Sequence, residues 1–71
     1  MASFKSKEVI SILQKLGFVE KRQTGSHKMM YHFGKNKIIP IPIHNRDIKK
    51  GLMKSIIKQA ESTEKEFLQL K

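Results

Sequence analysis

Residues 18–43, FVEKRQTGSHKMMYHFGKNKIIPIPI, decide the fold of this chain. Most of their aromatic and β-branched side chains fall in three runs, which predict strands over Phe18–Gln23, His27–Phe33 and Ile38–Ile43. Each of the two short segments between the runs contains a glycine, which tolerates positive φ and is typical of tight turns. Two consecutive hairpins predict an antiparallel sheet whose strands lie in the order one-two-three.

The third strand carries the clearest pattern of the three. Ile39, Ile41 and Ile43 share one face, because side chains alternate along a strand with a period of two. Pro40 and Pro42 have no N–H to donate on one lateral side, so this strand is expected at the edge of the sheet. Strand two has apolar residues in both alternating sets, so the pattern does not assign its buried face.

One helix is predicted before the sheet. Ser6 is expected as its N-cap, and Gly17 is placed to end it. Glu8 lies in the first turn, where the helix dipole favours a negative charge. The apolar stripe, spaced i, i+3, i+4 and i+7, comprises Val9, Ile12, Leu13 and Leu16.

Two helices are predicted after the sheet. The first begins near Lys49 or Lys50, and the second has Thr63 and Glu66 at capping-box spacing. The apolar stripe of the first comprises Met53, Ile56, Ile57 and Ala60. These elements predict a single α+β domain over residues 1–71, with α-β-β-β-α order and a three-stranded antiparallel sheet. Helices pack on one sheet face and leave the other open.

The charge of the chain favours an anionic partner. Its 71 residues include 15 Lys and Arg against 6 Asp and Glu, which gives a net charge of +9. The excess is concentrated up to Lys50, and the signs nearly balance from Gly51 onward. An open, basic sheet face suits a nucleic-acid backbone, so nucleic acid is the first candidate. An acidic protein partner is compatible with the same charge.

Several classes of protein are disfavoured by the composition and motifs. The sequence has no cysteine for a disulfide or a thiolate metal site. It has no apolar run typical of a signal peptide or of a spanning helix, which needs about 20 residues, so a cytoplasmic protein with no membrane partner is expected. No phosphate-binding glycine loop, nucleophile elbow or paired carboxylates occur, which disfavours NTPase, serine hydrolase and glycosidase chemistry.

His27 is the first candidate for chemistry. It follows Gly25 and Ser26 where a turn enters a strand, with Lys21 and Arg22 just across the hairpin. An imidazole exchanges a proton near neutral pH, and neighbouring cations attract phosphate. This combination suits metal-free RNA cleavage, in which a base removes the 2′-hydroxyl proton and cations stabilise the charge on phosphorus. From spacing alone, a surface histidine that caps a turn is the simpler interpretation.

Other side chains are weaker candidates. Lys28 follows His27 directly, and Lys37 belongs to a group of cations near loops that are expected to contact phosphate. His44 ends the third strand and is a candidate second acid or substrate contact if the strand register brings it near His27. His27 and His32 are an odd number of residues apart and point to opposite faces, so neither a metal site nor a cofactor is predicted.

Four stretches of the sequence share their order and spacing with one protein family. They are the helix and strand start in residues 6–18, the turn RQTGSH in residues 22–27, the strand exit IPIH in residues 41–44 and the helix in residues 47–60. In this order they resemble the HicA toxins of toxin–antitoxin pairs. Gly25-Ser26-His27 is similar to the G-S-H active-site turn of that family.

The resemblance implies a double-stranded-RNA-binding-like fold and a type II toxin that cleaves mRNA without the ribosome and inhibits translation. It implies that His27 is the catalytic histidine, that Gly25 and Ser26 shape its turn, and that a HicB-type antitoxin covers the site. With the cations and the second histidine described above, the expected substrate-binding residues are Gly25, Ser26, Lys28, Lys21, Arg22, Lys37 and His44.

The chain departs from the family pattern in two places. Glu61 stands where the family usually has a glycine, which bears on the junction before the last helix. Lys28, Met29 and Met30 replace the histidine-rich or single-aromatic pattern common after the catalytic histidine. If a second imidazole there assists catalysis in the family, this protein uses another group or is slower.

Two alternatives to a nuclease stay open. A non-catalytic double-stranded-RNA-binding module would share the fold and charge without needing His27. A pure interaction protein would use the basic face for an acidic partner, and RNA binding with a steep salt dependence would exclude it. Tyr31 could stack on an exposed base, although a core position with a wet hydroxyl fits the pattern equally well.

Overall fold

The computed structural model describes residues 2–71. Its elements in chain order are α1 (Ser6–Lys15), β1 (Val19–Thr24), β2 (His27–His32), β3 (Lys37–Pro42), α2 (Lys50–Gln59) and α3 (Glu64–Leu70). The strands form an antiparallel sheet in the order β1-β2-β3, so the proline-containing β3 is an edge strand, as predicted. The α+β class and the element order are confirmed, and each observed strand end lies within one residue of its predicted position.

The strand register assigns the two faces of the sheet. Met30 of β2 pairs with Ile39 of β3, and Lys28 pairs with Ile41. Because paired residues point to the same face, the buried Met30, Ile39 and Ile41 define one face, and α1 and α2 contact the sheet there. We call it the covered face. The β2 side chains on the other, open face are those of His27, Met29 and Tyr31.

The start of α1 differs from the prediction. Lys5, not Ser6, is the N-cap, and its N–H donates to Glu8 Oε1 at 2.8 Å. Lys5 has an extended backbone and forms an isolated bridge with Asp47. Ser6 is buried in the first helical turn, where its hydroxyl donates to the Pro42 carbonyl at the end of β3. The serine therefore joins helix to sheet, which is the reason it is not the cap.

The C-terminus of α1 is closed by a Schellman motif. Gly17 has φ +98°, and its N–H donates to the Gln14 carbonyl at 3.1 Å. The Phe18 N–H donates to the Leu13 carbonyl at 2.9 Å, and both of these side chains are buried in the core. The predicted helix stop at Gly17 is confirmed. Phe18 completes this motif, which is why β1 begins one residue later than predicted.

The same motif closes α2 without a glycine. Glu61 has φ +56°, its N–H donates to the Lys58 carbonyl at 3.0 Å, and the Ser62 N–H donates to the Ile57 carbonyl at 3.1 Å. A side chain in this left-handed region is strained by contact between its Cβ and the backbone. Glu61 therefore occupies the position where glycine is the unstrained choice.

The core lies between the covered face and the helices. α3 begins as predicted at Thr63, whose Oγ1 accepts from the Glu66 N–H at 3.1 Å. Its Phe67 packs edge-on against Phe4, with ring centroids 6.0 Å apart. The buried core side chains are those of Phe4, Val9, Ile12, Leu13, Phe18, Met30, Ile39, Ile41, Ile48, Met53, Ile56, Ile57, Ala60 and Phe67. Across residues 2–71, no helix has the length and apolar character needed to cross a membrane.

Candidate functional site

The turn before His27 is a two-residue hairpin loop. Thr24 and His27 are paired, which leaves Gly25 and Ser26 as the central residues. Gly25 has φ +57° and Ser26 does not have positive φ, which is the pattern of a type II′ turn. A Cβ on Gly25 would meet no atom within 4 Å. The glycine is therefore required by its dihedral angle and not by crowding within the protein.

The turn is hydrogen-bonded to the chain at the end of β3. The Ser26 carbonyl accepts a hydrogen bond from the Ile43 N–H at 2.7 Å, and His27 pairs with Pro42. His27 therefore lies on the central strand, between Thr24 on one side and Pro42 on the other. His27 thus has a strand on either side, while its side chain is exposed on the open face. A polymer lying on that face can reach the imidazole.

A β-bulge brings two cations onto the face that carries His27. The pairing shifts register between Glu20 and Arg22, so Lys21 is the extra residue of β1. Arg22 pairs with Met29 of the open face, and the Lys21 ammonium lies 4.9 Å from the ring centroid of Tyr31 on the same face. Simple alternation would have sent Lys21 and Arg22 to opposite faces. No pattern in the sequence predicts this bulge.

Lys28 lies on the other side of the sheet from His27. Its ammonium is 3.2 Å from Glu20 Oε1, and it lines a cleft of about 520 Å³ between the sheet end and the start of α1. His44 lines the same cleft, and its Nδ1 is buried with no hydrogen-bond partner within residues 2–71. The structure thus brings Lys28 and His44 together, and His27 is not among the residues that line their cleft.

Lys37 is held at the end of α2. Its ammonium lies 2.7 Å from Glu61 Oε2 and donates to the Gln59 carbonyl at 3.3 Å. Lys35 reaches Glu61 Oε1 at 3.4 Å and the Ala60 carbonyl at 3.3 Å. Hydrogen bonding from Lys37, together with the charges of both lysines, lowers the pKa of the exposed Glu61 carboxyl. These cations neutralise the negative end of the α2 dipole and the carboxylate beside it.

His32 has a packing role. Its ring meets Phe18 edge-on with centroids 5.1 Å apart, and its Nδ1 accepts from the Lys35 N–H at 3.0 Å. A Cβ on Gly17 would stand 3.0 Å from the ring, and one on Gly34 would stand 3.1 Å from it. Both glycines therefore make room for this imidazole. Within residues 2–71 no group of three or more His, Asp or Glu side chains is placed to hold a metal ion.

A comparison with known protein families identifies the family of the chain. A sequence profile described as the HicA toxin of bacterial toxin–antitoxin systems matches residues 6–61. The chain belongs to the HicA family. The match extends from the start of α1 to the glutamate that ends α2 and includes the turn before His27. As a HicA toxin, the protein is one half of a toxin–antitoxin pair and has an antitoxin as its partner. No individually curated protein sequence gives a match to the chain.

Proposed function

We propose that this HicA protein is a metal-independent endoribonuclease that cleaves mRNA without the ribosome, with His27 as its general acid or base. Its action in the cytoplasm would arrest translation when the antitoxin is absent. The observation that carries the proposal is the open face itself. There an exposed imidazole at the end of the central strand shares one surface with the side chains of Lys21 and Arg22.

The chemistry requires a proton to move and a charge to be stabilised. As a base, neutral His27 takes the proton of a ribose 2′-hydroxyl, and the oxygen attacks the adjacent phosphorus. The bond to the 5′-oxygen breaks, and this oxygen leaves with a proton from an acid, which can be water. The products are a 2′,3′-cyclic phosphate and a 5′-hydroxyl. Arg22 supplies positive charge near the reacting phosphate as its charge rises, and Lys21 attracts the backbone further along the same face.

The expected substrate contacts divide into two groups. Arg22 and the turn Gly25-Ser26 lie toward His27 on the open face, and Lys21 lies beside Tyr31 further along it, so we propose them as the contacts that hold the backbone. The remaining three are Lys28, Lys37 and His44. They stay sequence predictions and do not belong to the proposed open-face site, because they lie on the helix side of the sheet and the two lysines are engaged in ion pairs.

The antitoxin partner fits the same face. A HicB-type antitoxin bound over His27 would exclude RNA by occupying the sheet face that the helices leave uncovered. Neutralisation is then steric and needs no change in the toxin fold. An antitoxin-bound sample should release no RNA fragments under conditions in which the isolated toxin does.

The experiment that tests the proposal uses a long mRNA, EDTA and no ribosomes. Wild-type protein should produce fragments with 2′,3′-cyclic phosphate ends, and His27→Ala should cleave at least about 100-fold more slowly while still binding the RNA. If the base role is right, the rate should be lost in acid, because a protonated imidazole cannot take the 2′-hydroxyl proton. RNA binding without cleavage by either protein would instead identify a non-catalytic RNA-binding module.

A further inference from the structure

We propose that the open sheet face binds single-stranded RNA, with one unpaired base stacked on the ring of Phe33 while the backbone runs past Arg22 to His27. This inference rests on the proposed function and specifies its substrate class. It concerns the far end of the open face, which the cleavage chemistry itself does not use.

The ring of Phe33 is exposed to solvent and is held in place by a neighbouring aromatic ring. It follows β2, and 74% of its surface is accessible to solvent. Its ring meets Tyr31 edge-on, with centroids 4.7 Å apart and planes at 82°. Tyr31 is fixed in turn, because its hydroxyl donates to Asn36 Oδ1 at 3.0 Å. An edge-to-face contact takes up at most one face of the Phe33 ring, and the exposure is high, so a flat face of the ring is available for stacking.

The surroundings of this ring are apolar and lie on the open face. Val19 and Ile38 pair with Tyr31 from the two flanking strands, and they are 44% and 43% exposed. We call Val19, Tyr31, Phe33 and Ile38 the aromatic end of the open face. An exposed apolar cluster of this kind on so small a protein marks a binding surface.

The geometry links the aromatic end to His27. Tyr31 and His27 lie four residues apart on β2, which corresponds to about 13 Å at roughly 3.3 Å per residue. Nucleotides in a stacked strand advance about 3.4 Å each, so this span accommodates roughly four stacked nucleotides or fewer extended ones. A strand that reaches both ends has to pass beside Met29 and its partner Arg22.

The charges favour a nucleic acid as the occupant. Glu20 is the only carboxylate in the three strands, and it lies on the covered face with Lys28. The strands therefore offer the open face Lys21 and Arg22 with no acidic side chain of their own. Cations beside a flat exposed ring match a phosphate backbone with unpaired bases. A duplex does not fit, because its bases are stacked within the helix and cannot reach Phe33.

The test is a binding measurement that does not depend on catalysis. The probe is a short 2′-O-methyl oligoribonucleotide, which has no 2′-hydroxyl to deprotonate, used single-stranded and as a duplex. Phe33→Ala should weaken binding of the single strand by about 5- to 150-fold, the range expected for the loss of one base–aromatic stack. Leu68→Ala is the matched control, because Leu68 is 45% exposed on α3. The affinity of this variant for the single strand should stay within about twofold of that of wild type.

A second variant reports stacking directly. The chain contains no tryptophan, so Phe33→Trp introduces a single indole. Its affinity should match wild type, and its emission should be quenched by the single strand and not by the duplex. Unchanged affinity in Phe33→Ala, equal binding of the duplex, or an unquenched indole would each overturn the inference. The inference would also be overturned if Phe33→Ala weakened only the binding of the antitoxin, because the aromatic end would then be a contact for a protein.

The outcomes separate this inference from the proposed nuclease. Stacking on Phe33 with no cleavage of natural RNA by wild type would reject the nuclease and keep the single-strand interface. Cleavage that depends on His27 together with an inert Phe33 would reject the interface and keep the nuclease. A wild-type protein that binds no RNA at all would reject both.

Discussion

The two faces of the sheet use the same residue types for different purposes. On the covered face Lys28 and Lys37 are held by carboxylates, and His32 is packed against Phe18. On the open face His27 is exposed at the turn, and the cations of that face have no carboxylate from the strands. Alternation along β2 produces this division, because neighbouring residues of a strand point to opposite faces.

Under the proposed function, the difference means that net charge overstates the cationic surface available for RNA. Of the lysines that the sequence suggests as phosphate contacts, those on the covered face neutralise Glu20 and Glu61. The β-bulge at Lys21 adds a cation to the open face that simple alternation would not provide. Recognition is therefore expected to depend on a few residues of one face and not on the charge of the whole protein.

The largest expected effect on stability comes from replacing one methionine of each sheet face with alanine and comparing the two losses. Met30 is fully buried on the covered face, so Met30→Ala should cost about 2–5 kcal/mol through lost burial and a cavity. Met29 lies on the open face, and Met29→Ala should cost less than about 1 kcal/mol. Thermal unfolding should show a drop in Tm above about 10 °C for the first variant only. Equal losses would contradict the assignment of the faces.

RNA binding should separate the cations of the two faces. In the double variant Lys21→Gln with Arg22→Gln, the slope of log affinity against log salt should become shallower by about 1.4, because two phosphate contacts to a single strand are lost at about 0.7 each. The control variant, Lys28→Gln with Lys37→Gln, removes the same charge from the covered face and should leave the slope near wild type. Anisotropy titrations at several salt concentrations measure both. Identical slopes in the two variants would mean that only total charge matters.

A smaller effect is expected at the end of α2. Glu61→Gly relieves the left-handed strain but removes the ion pairs to Lys35 and Lys37. Tm should therefore rise in high salt, where those pairs are screened, and rise less or not at all in low salt. RNA affinity should hardly change. A loss of Tm in high salt would show that the glutamate is favourable for a reason other than its charge.

The smallest expected effect is the loss, in acid, of the stability that the ion pairs of Glu61 contribute. The lowered pKa of Glu61 means that its ionised form is favoured in the folded protein, so its contribution is present above the ordinary carboxyl pKa of 4.5. The contribution disappears as pH falls through the lowered value. Tm of wild type should exceed that of Glu61→Gln near neutral pH, and the difference should shrink in acid. A constant difference across this range would contradict the ion pairing.

The fold could be predicted well because each element has a local signal. The proline pair fixed β3 as an edge strand, and Gly17 gave the helix stop. Ser6 was misassigned as a cap, because its role is a hydrogen bond to Pro42, which is distant in sequence. Single-sequence patterns carry little information about such contacts.

The candidate site could be predicted only in part. The turn Gly25-Ser26-His27 was visible as a motif, and its exposure follows from the register. That Lys28 and His44 line a separate cleft could not be predicted. Met29 and Met30 are both apolar and adjacent, so the sequence pattern of β2 did not show which side chains face the helices. Phe33 gave no signal either, because an aromatic residue in a short chain is ordinarily assigned to the core.

The most direct test of the open-face site compares two histidines in one cleavage assay. Initial rates on the same mRNA in EDTA are measured for wild type, His27→Ala and His44→Ala, with thermal melting to confirm that each variant is folded. His27→Ala should lose about 10²- to 10⁴-fold in rate, the usual contribution of a general acid or base, and His44→Ala should stay within a few-fold of wild type. A folded His27→Ala variant that cleaves at the wild-type rate, or an equal loss in His44→Ala, would contradict the placement of the chemistry on the open face.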